Sequence, residues 1–425
     1  MIQLTTTTLG VICDDVKGII RTGPFGSQLH QSDYKDEGLP VVMPKDIVDR
    51  KISTESIARI GDNDVERLTQ HRLKIGDIVY GRRGDIGRCA LISKRENGWF
   101  CGTGCLRISL GESVVNSKFL YYYLGQSHVI EWICNQAIGA TLPNLNTSII
   151  RSIPITYPTL KSQKQIGDIL STYDDLIENN TRRIKILEEM AQLLYREWFV
   201  NFRFPGHEDV KLVESAIGLI PEGWEIQSLG GIAKEVRRGV NPENVDPETP
   251  YLGLEHFPRK SIALSEWGKA SDVQSTKLIF KKGEILFGKI RPYFHKVGVA
   301  PLDGICSSDV IVIQPKDEQY FALVLACVSS EAFVDHATQT SQGTKMPRAN
   351  WDVLVKYPIP VPPPKLLDSF NDFLKAIVNQ IHNLTFKSIN LRQTRDLLLP
   401  KLISGEIDIE AFALSHLDCE ESIAA

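Results

Sequence analysis

The feature that most constrains this chain is an internal repeat at a fixed offset of 204 residues. Residues 140–146 (ATLPNLN) resemble residues 344–350 (TKMPRAN), and at the same offset Pro154 matches Pro358. The apolar register stays aligned without a gap as far as residue 200 in the first copy. Aligned prolines together with an aligned apolar register are hard to obtain by chance, so the chain is built as two copies of one plan.

The upstream parts of the two copies match more loosely. Residues 73–81 (LKIGDIVYG) resemble residues 280–288 (FKKGEILFG) at an offset of 207, and Leu9 corresponds to Leu229. Short β-branched or apolar runs between polar and glycine residues predict strands, and longer apolar runs predict helices. The predicted strands are residues 78–80, 105–108 and 310–313, and the predicted helices are residues 117–126 and 318–329. Each copy is therefore a mixed, strand-rich region.

A long helix follows each mixed region. Apolar residues recur at steps of three and four, which places them on one stripe of a helix. The stripe positions are Ile166, Leu170, Tyr173, Ile177, Leu187 and Leu194 in the first copy and Phe370, Leu374, Ile377, Ile381, Leu391 and Leu398 in the second. A helix of about forty residues spans about 60 Å, so the pattern favours a paired coiled coil over two unrelated core helices. Pro205–Gly206 and Pro400 are expected to end the two helices.

Composition excludes several classes of protein. The 425 residues include 42% hydrophobic and 24% charged residues, which is typical of a globular chain. The longest apolar run, residues 321–328, is too short to span a bilayer, which needs about 20 residues. The first residues do not resemble a signal peptide, and eight unevenly spaced cysteines do not form a disulfide framework. We therefore expect a reduced, cytoplasmic protein with no membrane partner.

Motifs for catalysis are missing from the sequence. It contains no P-loop and no strand followed by Gly-x-Gly-x-x-Gly. Cys101 and Cys105 have no second pair of ligands at zinc spacing, so buried small residues beside a strand explain them better. We expect no catalytic residue, no metal site and no cofactor in this chain.

Basic residues instead cluster at matched places in the two copies. In each copy the basic residues flank the predicted strand within residues 73–81 or 280–288. They continue into the turn that begins at Gly81 or Gly288. Arginine suits bidentate contacts with guanine and phosphate, and lysine suits phosphate, whereas the alternative is a solvated strand edge. The recurrence favours DNA contact by Arg72, Lys74, Arg82, Arg83 and Arg88 in the first copy and by Lys289, Arg291, Tyr293, His295 and Lys296 in the second.

Three further segments and the pair Arg237–Arg238 complete the predicted DNA-binding set. The glycines of residues 21–27 (RTGPFGS) let backbone amides approach a ligand, although a plain surface turn is the alternative. Hydroxyl and amide groups precede each long helix and suit phosphate or adenine, although they could instead cap local backbone. The predicted residues are Arg21, Gly23, Phe25, Gly26, Ser27, Thr141, Asn144, Asn146, Arg237, Arg238, Lys345, Arg348 and Asn350.

These segments resemble a known family. Residues 196–206 (REWFVNFRFPG), 220–225 (IPEGWE) and 397–406 (LLLPKLISGE), with residues 23–27 and 139–146, resemble the specificity (S) subunit of type I restriction–modification enzymes. The resemblance covers essentially the whole chain. One departure is that the first copy lacks the Gly–Trp opening formed by Gly223 and Trp224 in the second, which predicts a less firmly held N-terminal edge.

The resemblance implies an α+β fold with a pseudo-twofold internal repeat. Two mixed α/β target recognition domains (residues 1–158 and 205–361) would be joined by two long conserved helices, a central one (159–204) and a distal one (362–402), forming an antiparallel coiled coil. A C-terminal tail (403–425) would follow. Each domain would read one half of a split site in double-stranded DNA.

The resemblance also implies partners. Two methyltransferase (M) subunits and two restriction and motor (R) subunits would bind this chain, and S-adenosylmethionine, ATP and Mg²⁺ would belong to them. Two alternatives stay open at this point: a self-contained DNA methyltransferase or nuclease, and a coiled-coil scaffold without a role in DNA recognition.

Overall fold

A computed structural model describes residues 4–26, 28–84, 87–136, 145–343, 345–407 and 409. The chain divides into two compact units. The first unit comprises Met1–Asp175 and Arg392–Ala425, and the second comprises Leu176–Leu391. Each unit therefore contains one mixed region together with part of both long helices.

The first unit is built on two four-stranded sheets. One has the order Ile19–Thr22, Cys105–Ser109, Ile78–Gly81, Cys89–Leu91, and the other has the order Phe100–Cys101, Leu39–Val42, Ala58–Ile60, Tyr34–Lys35. Thr5–Thr8 pairs with Pro154–Tyr157, and Ile47–Val48 pairs with Lys51–Ile52. The α-helices of this region are Leu9–Asp15, Asp62–Arg67, Ser117–Leu124, Ser127–Gln136 and Thr147–Arg151.

The second unit repeats this plan. One sheet has the order Ala233–Glu235, Val310–Pro315, Ile285–Gly288, Val297–Val299, and the other has the order Gly239–Val240, Lys277–Phe280, Gly304–Cys306, Pro250–Leu252, Gly268–Lys269. Glu225–Ser228 pairs with Pro358–Val361, and Leu212–Ser215 pairs with Gly218–Pro221. The α-helices are Leu229–Ile232, Phe321–Val328, Glu331–Gln339 and Trp351–Leu354.

Short 3₁₀ turns connect these elements. They are Gln31–Asp33, Pro44–Asp46 and Thr69–His71 in the first unit, and His207–Asp209, Pro242–Asn244, Leu254–His256, Ala270–Asp272, Pro292–Phe294 and Glu318–Tyr320 in the second. The predicted strands at 78–80, 105–108 and 310–313 are confirmed, since each falls within an observed strand. The predicted helices near 117 and 318 are also confirmed, and the second begins with a 3₁₀ turn.

The internal repeat is confirmed in one four-stranded sheet of each unit and in the strand pair that leads into each long helix, whereas the other large sheet has four strands in the first unit and five in the second. In each unit a short strand before the first helix pairs antiparallel with the strand that leads into a long helix, with Thr8 opposite Pro154 and Ser228 opposite Pro358. The strand pairing also holds the N-terminal edge of the first unit, where the Thr6 and Thr156 hydroxyls lie 3.0 Å apart. The same pairing holds the corresponding edge of the second unit, so a less firmly held N-terminal edge in the first unit stays a prediction.

Two long helices follow the mixed regions. The central helix is Leu160–Tyr195, continued by one π-helical turn at Arg196–Val200, and the distal helix is Pro364–Ser404. The prediction that Pro400 ends the distal helix is wrong. A proline removes one backbone donor, but here the following turn is held by Leu402 and Ile403, which are buried in the core of the first unit.

The two long helices run in opposite directions. Within the second unit, the rings of Trp198 and Phe370 lie 5.7 Å apart, and Leu187 lines one cavity with Ile377. Residue numbers thus rise along one helix as they fall along the other. All twelve predicted stripe positions are buried or half-buried, which agrees with the predicted apolar stripe.

The length of apolar helices is limited among the described residues. No single helix among them is long and apolar enough to cross a bilayer, although the bent pair Glu318–Val328 and Glu331–Gln339 passes by length and composition together. Every residue of the helix Phe321–Val328 is buried in the core of the second unit, where core packing accounts for its apolar composition.

Candidate nucleic-acid interface

In the first unit, the basic turn after the strand Ile78–Gly81 is clamped to two other segments. The Arg82 N–H donates to the Gly104 carbonyl at 2.8 Å, and the Arg82 carbonyl accepts from the Leu145 N–H at 3.0 Å. Leu145 directly precedes the helix Thr147–Arg151. The structure thus brings the basic turn next to the segment that the sequence repeat singled out.

The second unit has the same clamp at matched positions. The Lys289 N–H donates to the Asp309 carbonyl at 2.9 Å, and the Lys289 carbonyl accepts from the Ala349 N–H at 2.9 Å. Lys289 and Ala349 are the repeat counterparts of Arg82 and Leu145. Because these bonds join backbone groups, the clamp is the same while the side chains at the turn differ.

The glycine loop of the first unit lies beside the turn whose Gly104 carbonyl accepts the hydrogen bond from Arg82. The Gly23 N–H donates to the Cys105 carbonyl at 2.9 Å. A Cβ at Gly23 would lie 2.0 Å from the Gly102 carbonyl oxygen, so only glycine fits this close approach. The neighbouring Phe25 side chain is 58% exposed. Gly26 is exposed beside it, and Ser27 lies outside the described residues.

Asn146 and Asn350 act as helix caps. The Asn146 Oδ1 accepts from the Ile149 N–H at 2.8 Å, and the Asn350 Oδ1 accepts from the Asp352 N–H at 3.0 Å. The capping alternative raised from the sequence is therefore what the structure shows for both oxygens. Thr141 and Asn144 lie outside the described residues.

The arginines of the first basic turn differ in their surroundings. The Arg82 Nε donates to the Leu145 carbonyl at 2.8 Å, and burial, with Arg83 beside it, lowers the Arg82 pKa. Arg83 is exposed. Arg88, on the other limb of the turn, is half-buried, and its carbonyl accepts from the Gly81 N–H at 2.8 Å. Arg82 therefore shapes the turn, and Arg83 is the side chain presented to solvent.

Arg72 and Lys74 lie at the other end of the strand Ile78–Gly81. Both side chains are exposed, and the Lys74 N–H donates to the Asp77 carboxylate at 2.8 Å. Arg21 lies opposite the buried Arg107 in the neighbouring strands. The first basic cluster is thus divided between two ends of one strand, which its sequence spacing does not reveal.

A cavity of about 300 Å³ gathers several predicted residues of the second unit. Arg237, Lys289, Arg348 and Asn350 all line it. Arg237 is paired with Glu235 at 2.7 Å, which raises the Arg237 pKa, and Arg348 lies 3.5 Å from an Asp309 carboxylate oxygen. These residues are far apart in the sequence, so only the fold could show that they share one concave, basic surface.

The remaining residues of the second basic cluster are divided between surface and interior. Tyr293 is 52% exposed. His295 is buried, its Nε2 lies 2.8 Å from the Ser329 carbonyl, and burial lowers its pKa. Lys296 bonds the Leu254 carbonyl, and burial lowers its pKa as well. His295 and Lys296 therefore face the protein, whereas Tyr293 faces outward.

Arg238 is engaged within the protein too. Its guanidinium donates two hydrogen bonds to the Glu284 carboxylate at 2.9 and 2.8 Å, which raises the Arg238 pKa. Lys345 is exposed. Arg259 is absent from the predicted set, although its guanidinium lies 4.2 Å from the centre of the Phe294 ring. The adjacent Arg259–Lys260 pair in the sequence is the signal that could have identified it.

Potential metal ligands are scattered among the described residues. No cluster of three or more His, Cys, Asp or Glu side chains there could hold a metal ion. Cys101 and Cys105 are buried in strands, as the sequence suggested, and burial raises the Cys101 pKa to about 12. Both are therefore protonated core thiols.

The fold and the site define the class of this protein: a chain with two copies of one domain, each carrying a clamped basic turn. The model of the type I restriction modification DNA specificity domain matches residues 29–189 and 221–391. The chain therefore belongs to this family, and the resemblance seen in the sequence is confirmed.

Relatives of known class agree. The chain is 26% identical over 393 residues to the type I restriction enzyme MjaIX specificity subunit of Methanocaldococcus jannaschii, covering 89% of each chain. It is 25% identical over 332 residues to the EcoDI specificity subunit of Escherichia coli, covering 69% of this chain and 71% of that one. The crystal structure of an S subunit from M. genitalium has the same fold, with a TM-score of 0.58 and 16% identity, covering 94% of this chain and 96% of that one.

Proposed function

We propose that this chain is the non-catalytic sequence-specificity subunit of a type I restriction–modification complex, in which each unit reads one half of a bipartite DNA site. The observation that carries the proposal is the clamp formed by Arg82 with Leu145 and by Lys289 with Ala349. The same backbone geometry presents basic side chains at both places, as contact with two DNA segments requires.

The two half-sites should differ in sequence. The first unit presents Arg83 and Phe25 on its exposed surface, whereas the second presents Arg237, Arg348 and Tyr293. Arginine donates to guanine, and aromatic rings contact thymine methyl groups. Because the exposed basic and aromatic side chains differ between the two units, equal half-sites are not expected.

Partner subunits would supply the chemistry. An exposed apolar stripe on the central helix, in the second unit, supports docking of a methyltransferase subunit: Ile186, Met190, Leu193 and Val200 are 49%, 48%, 55% and 58% exposed. Rows of exposed apolar side chains mark interaction surfaces. We propose two methyltransferase and two restriction subunits around this chain, with S-adenosylmethionine, ATP and Mg²⁺ bound by them, all in the cytoplasm.

We expect the isolated chain to bind DNA weakly. Its net charge of −4 opposes the duplex at long range, and the exposed basic surfaces are small. Binding by the chain alone should therefore fall steeply with salt and become tight only in complex with its partners. Nanomolar specific binding by the isolated chain at physiological salt would contradict this part of the proposal.

The decisive test is a genome-wide map of methylated adenines with and without this gene. Loss of methylation at one bipartite motif, restored by the gene on a plasmid, is the expected result. Methyl transfer by the purified chain alone would support a self-contained enzyme instead. An unchanged map would favour a coiled-coil scaffold.

A further inference from the structure

The basic turn of the second unit has an unusual backbone. Arg291 and His295, on either side of the 3₁₀ turn Pro292–Phe294, have φ values of 49° and 51°. A residue with a Cβ pays a steric cost in this left-handed region. The arrangement persists only where the surrounding structure enforces it, and such residues gather at functional sites.

In the first unit, glycine residues occupy the left-handed positions of the matched turn. Its matched turn has Gly84 at φ 81° and Gly87 at φ 103°, at offsets of 207 and 208 from Arg291 and His295. Glycine adopts this conformation without the steric cost. The second unit therefore carries Arg291 and His295 at positions where the first unit has glycine.

Hydrogen bonds fix both ends of the turn. The Arg291 N–H donates to the Pro347 carbonyl at 2.8 Å, and the His295 N–H donates to the Pro292 carbonyl at 2.7 Å. The buried His295 ring contacts the Ser329 carbonyl at 2.8 Å. The turn is therefore held rigidly beside the loop that contains Arg348.

The tip of the turn presents an aromatic ring supported by a second ring and two cations. The Tyr293 ring packs edge-on against the Phe294 ring, with centroids 4.8 Å apart, and Tyr293 is 52% exposed. The guanidinium carbons of Arg259 and Arg291 lie 4.2 and 5.9 Å from the Phe294 centroid. The Arg291 Nε is buried and has no hydrogen-bond partner among the described residues. A plain solvated turn would need none of these features.

We propose that Tyr293 is a specificity-determining residue of the second half-site and that its ring packs against base edges, where a thymine methyl group is an apolar partner. Arg291 and His295 are positioning residues, because the Arg291 guanidinium lies beside the Phe294 ring that supports Tyr293 and the His295 ring anchors the turn on the Ser329 carbonyl. The proposal rests on the proposed function of the chain. A pre-ordered aromatic side chain loses little freedom on binding, so a rigid turn favours contact with bases.

The test uses the complex of this chain with its methyltransferase subunit and a DNA library in which both half-sites are randomised. Tyr293→Ala should lower discrimination in the second half-site by roughly tenfold or more and leave the first unchanged. Tyr293→Phe should keep the discrimination, because the ring is retained. Phe25→Ala, an exposed aromatic of the first unit, is the matched control and should leave the second half-site unchanged.

Arg291→Gly separates positioning from folding. Glycine adopts the left-handed backbone without steric cost, so the variant should melt no lower than the wild type. It removes the guanidinium from beside the Phe294 ring, so it should lose discrimination as Tyr293→Ala does. Wild-type discrimination in Tyr293→Ala, or an equal loss in Tyr293→Phe, would overturn the proposal. If even the wild-type complex methylated no two-part site, the proposed function itself would fail.

Discussion

The two units join their helices to their recognition domains by different chemistry. In the first unit Tyr122 donates to the Asp174 carboxylate at 2.5 Å, and Arg395 of the distal helix pairs with the same carboxylate. Asp174 belongs to the central helix, so three elements meet at one charge. The Asp174 and Arg395 side chains are each only 18% exposed.

The matched positions of the second unit carry no charge. At the offset of 204 residues, Tyr122 corresponds to Ala326, and Asp174 corresponds to Val378. Arg395 corresponds to Ala191, and all three counterparts are buried in one apolar core. The same backbone arrangement is therefore stabilised in the first unit by a cluster of Tyr122, Asp174 and Arg395, which we call the ionic joint. In the second unit it is stabilised by aliphatic packing. Buried ion pairs cost desolvation and tolerate no missing partner, so the first joint should be the more fragile to single substitutions.

Breaking the ionic joint should have the largest effect on stability. Arg395→Ala leaves the Asp174 carboxylate half-satisfied in a largely buried place, which should lower the free energy of unfolding by roughly 3 kcal/mol. Urea denaturation of the full chain measures this. Lys118→Ala is the control, because its ion pair with Asp168 is exposed and is expected to contribute about 1 kcal/mol or less.

Converting the joint to the apolar kind should restore stability. The triple variant Tyr122→Phe, Asp174→Val, Arg395→Met removes all three polar groups together and keeps most of the volume. Replacing all members of a buried ion-pair cluster by well-packed apolar groups is often neutral for stability. We therefore expect the free energy of unfolding of the triple variant to lie within about 1 kcal/mol of the wild-type value. A triple variant as unstable as Arg395→Ala would show that charge is not what distinguishes the two joints.

The two units should also differ in how their stability depends on pH. His71 is buried in the first unit, and burial, with Arg21 and Arg107 nearby, lowers its pKa to about 4. Its counterpart in the second unit, at offset 207, is Leu278. The unfolded state, with a histidine pKa of about 6.5, takes up the proton first as the pH falls. His71 should therefore destabilise the first unit as the pH falls from about 6.5 to about 4, by an amount on the order of 3 kcal/mol.

His71→Leu installs the residue of the second unit and isolates this contribution. Urea denaturation across the same pH range should show a flatter dependence for the variant than for the wild type. Identical pH dependence in the two proteins would mean that the buried imidazole does not supply the acid sensitivity.

The helix caps should behave alike in the two units, and their effect is the smallest. Asn146→Ala and Asn350→Ala each remove one acceptor from a helix N-terminus, which should cost about 1 kcal/mol. Thermal melting of the two variants measures it. A change of half-site preference without loss of stability would instead show that these asparagines read bases rather than cap helices.

The repeat, the class of fold and the apolar stripes of the long helices could be predicted from the sequence alone, because each depends on patterns that recur along the chain. It could not separate Tyr293, which faces outward, from His295 and Lys296, which face inward, because neighbours in a basic run share no period that reports burial. The same limit hid Arg238, whose partner Glu284 is 46 residues away.

Long-range partners account for the rest of what the sequence left out. The cavity that gathers Arg237, Lys289 and Arg348 depends on three segments meeting in space. The joint at Asp174 was missed because its partners come from a different helix and from a recognition domain. The proline at Pro400 was misread because local propensity omits the buried side chains that hold the following turn.

The central claim, that each unit reads one half of a split site, is tested most directly by exchanging basic side chains for alanine in one unit at a time. The measurement is methylation of a library with both half-sites randomised, using the complex with methyltransferase subunits. Arg82→Ala with Arg83→Ala should relax only one half-site, and Lys289→Ala with Arg348→Ala only the other, each by roughly 1–3 kcal/mol at the positions affected. If either double variant changed the preference in both half-sites equally, the assignment of one half-site to each unit would be wrong.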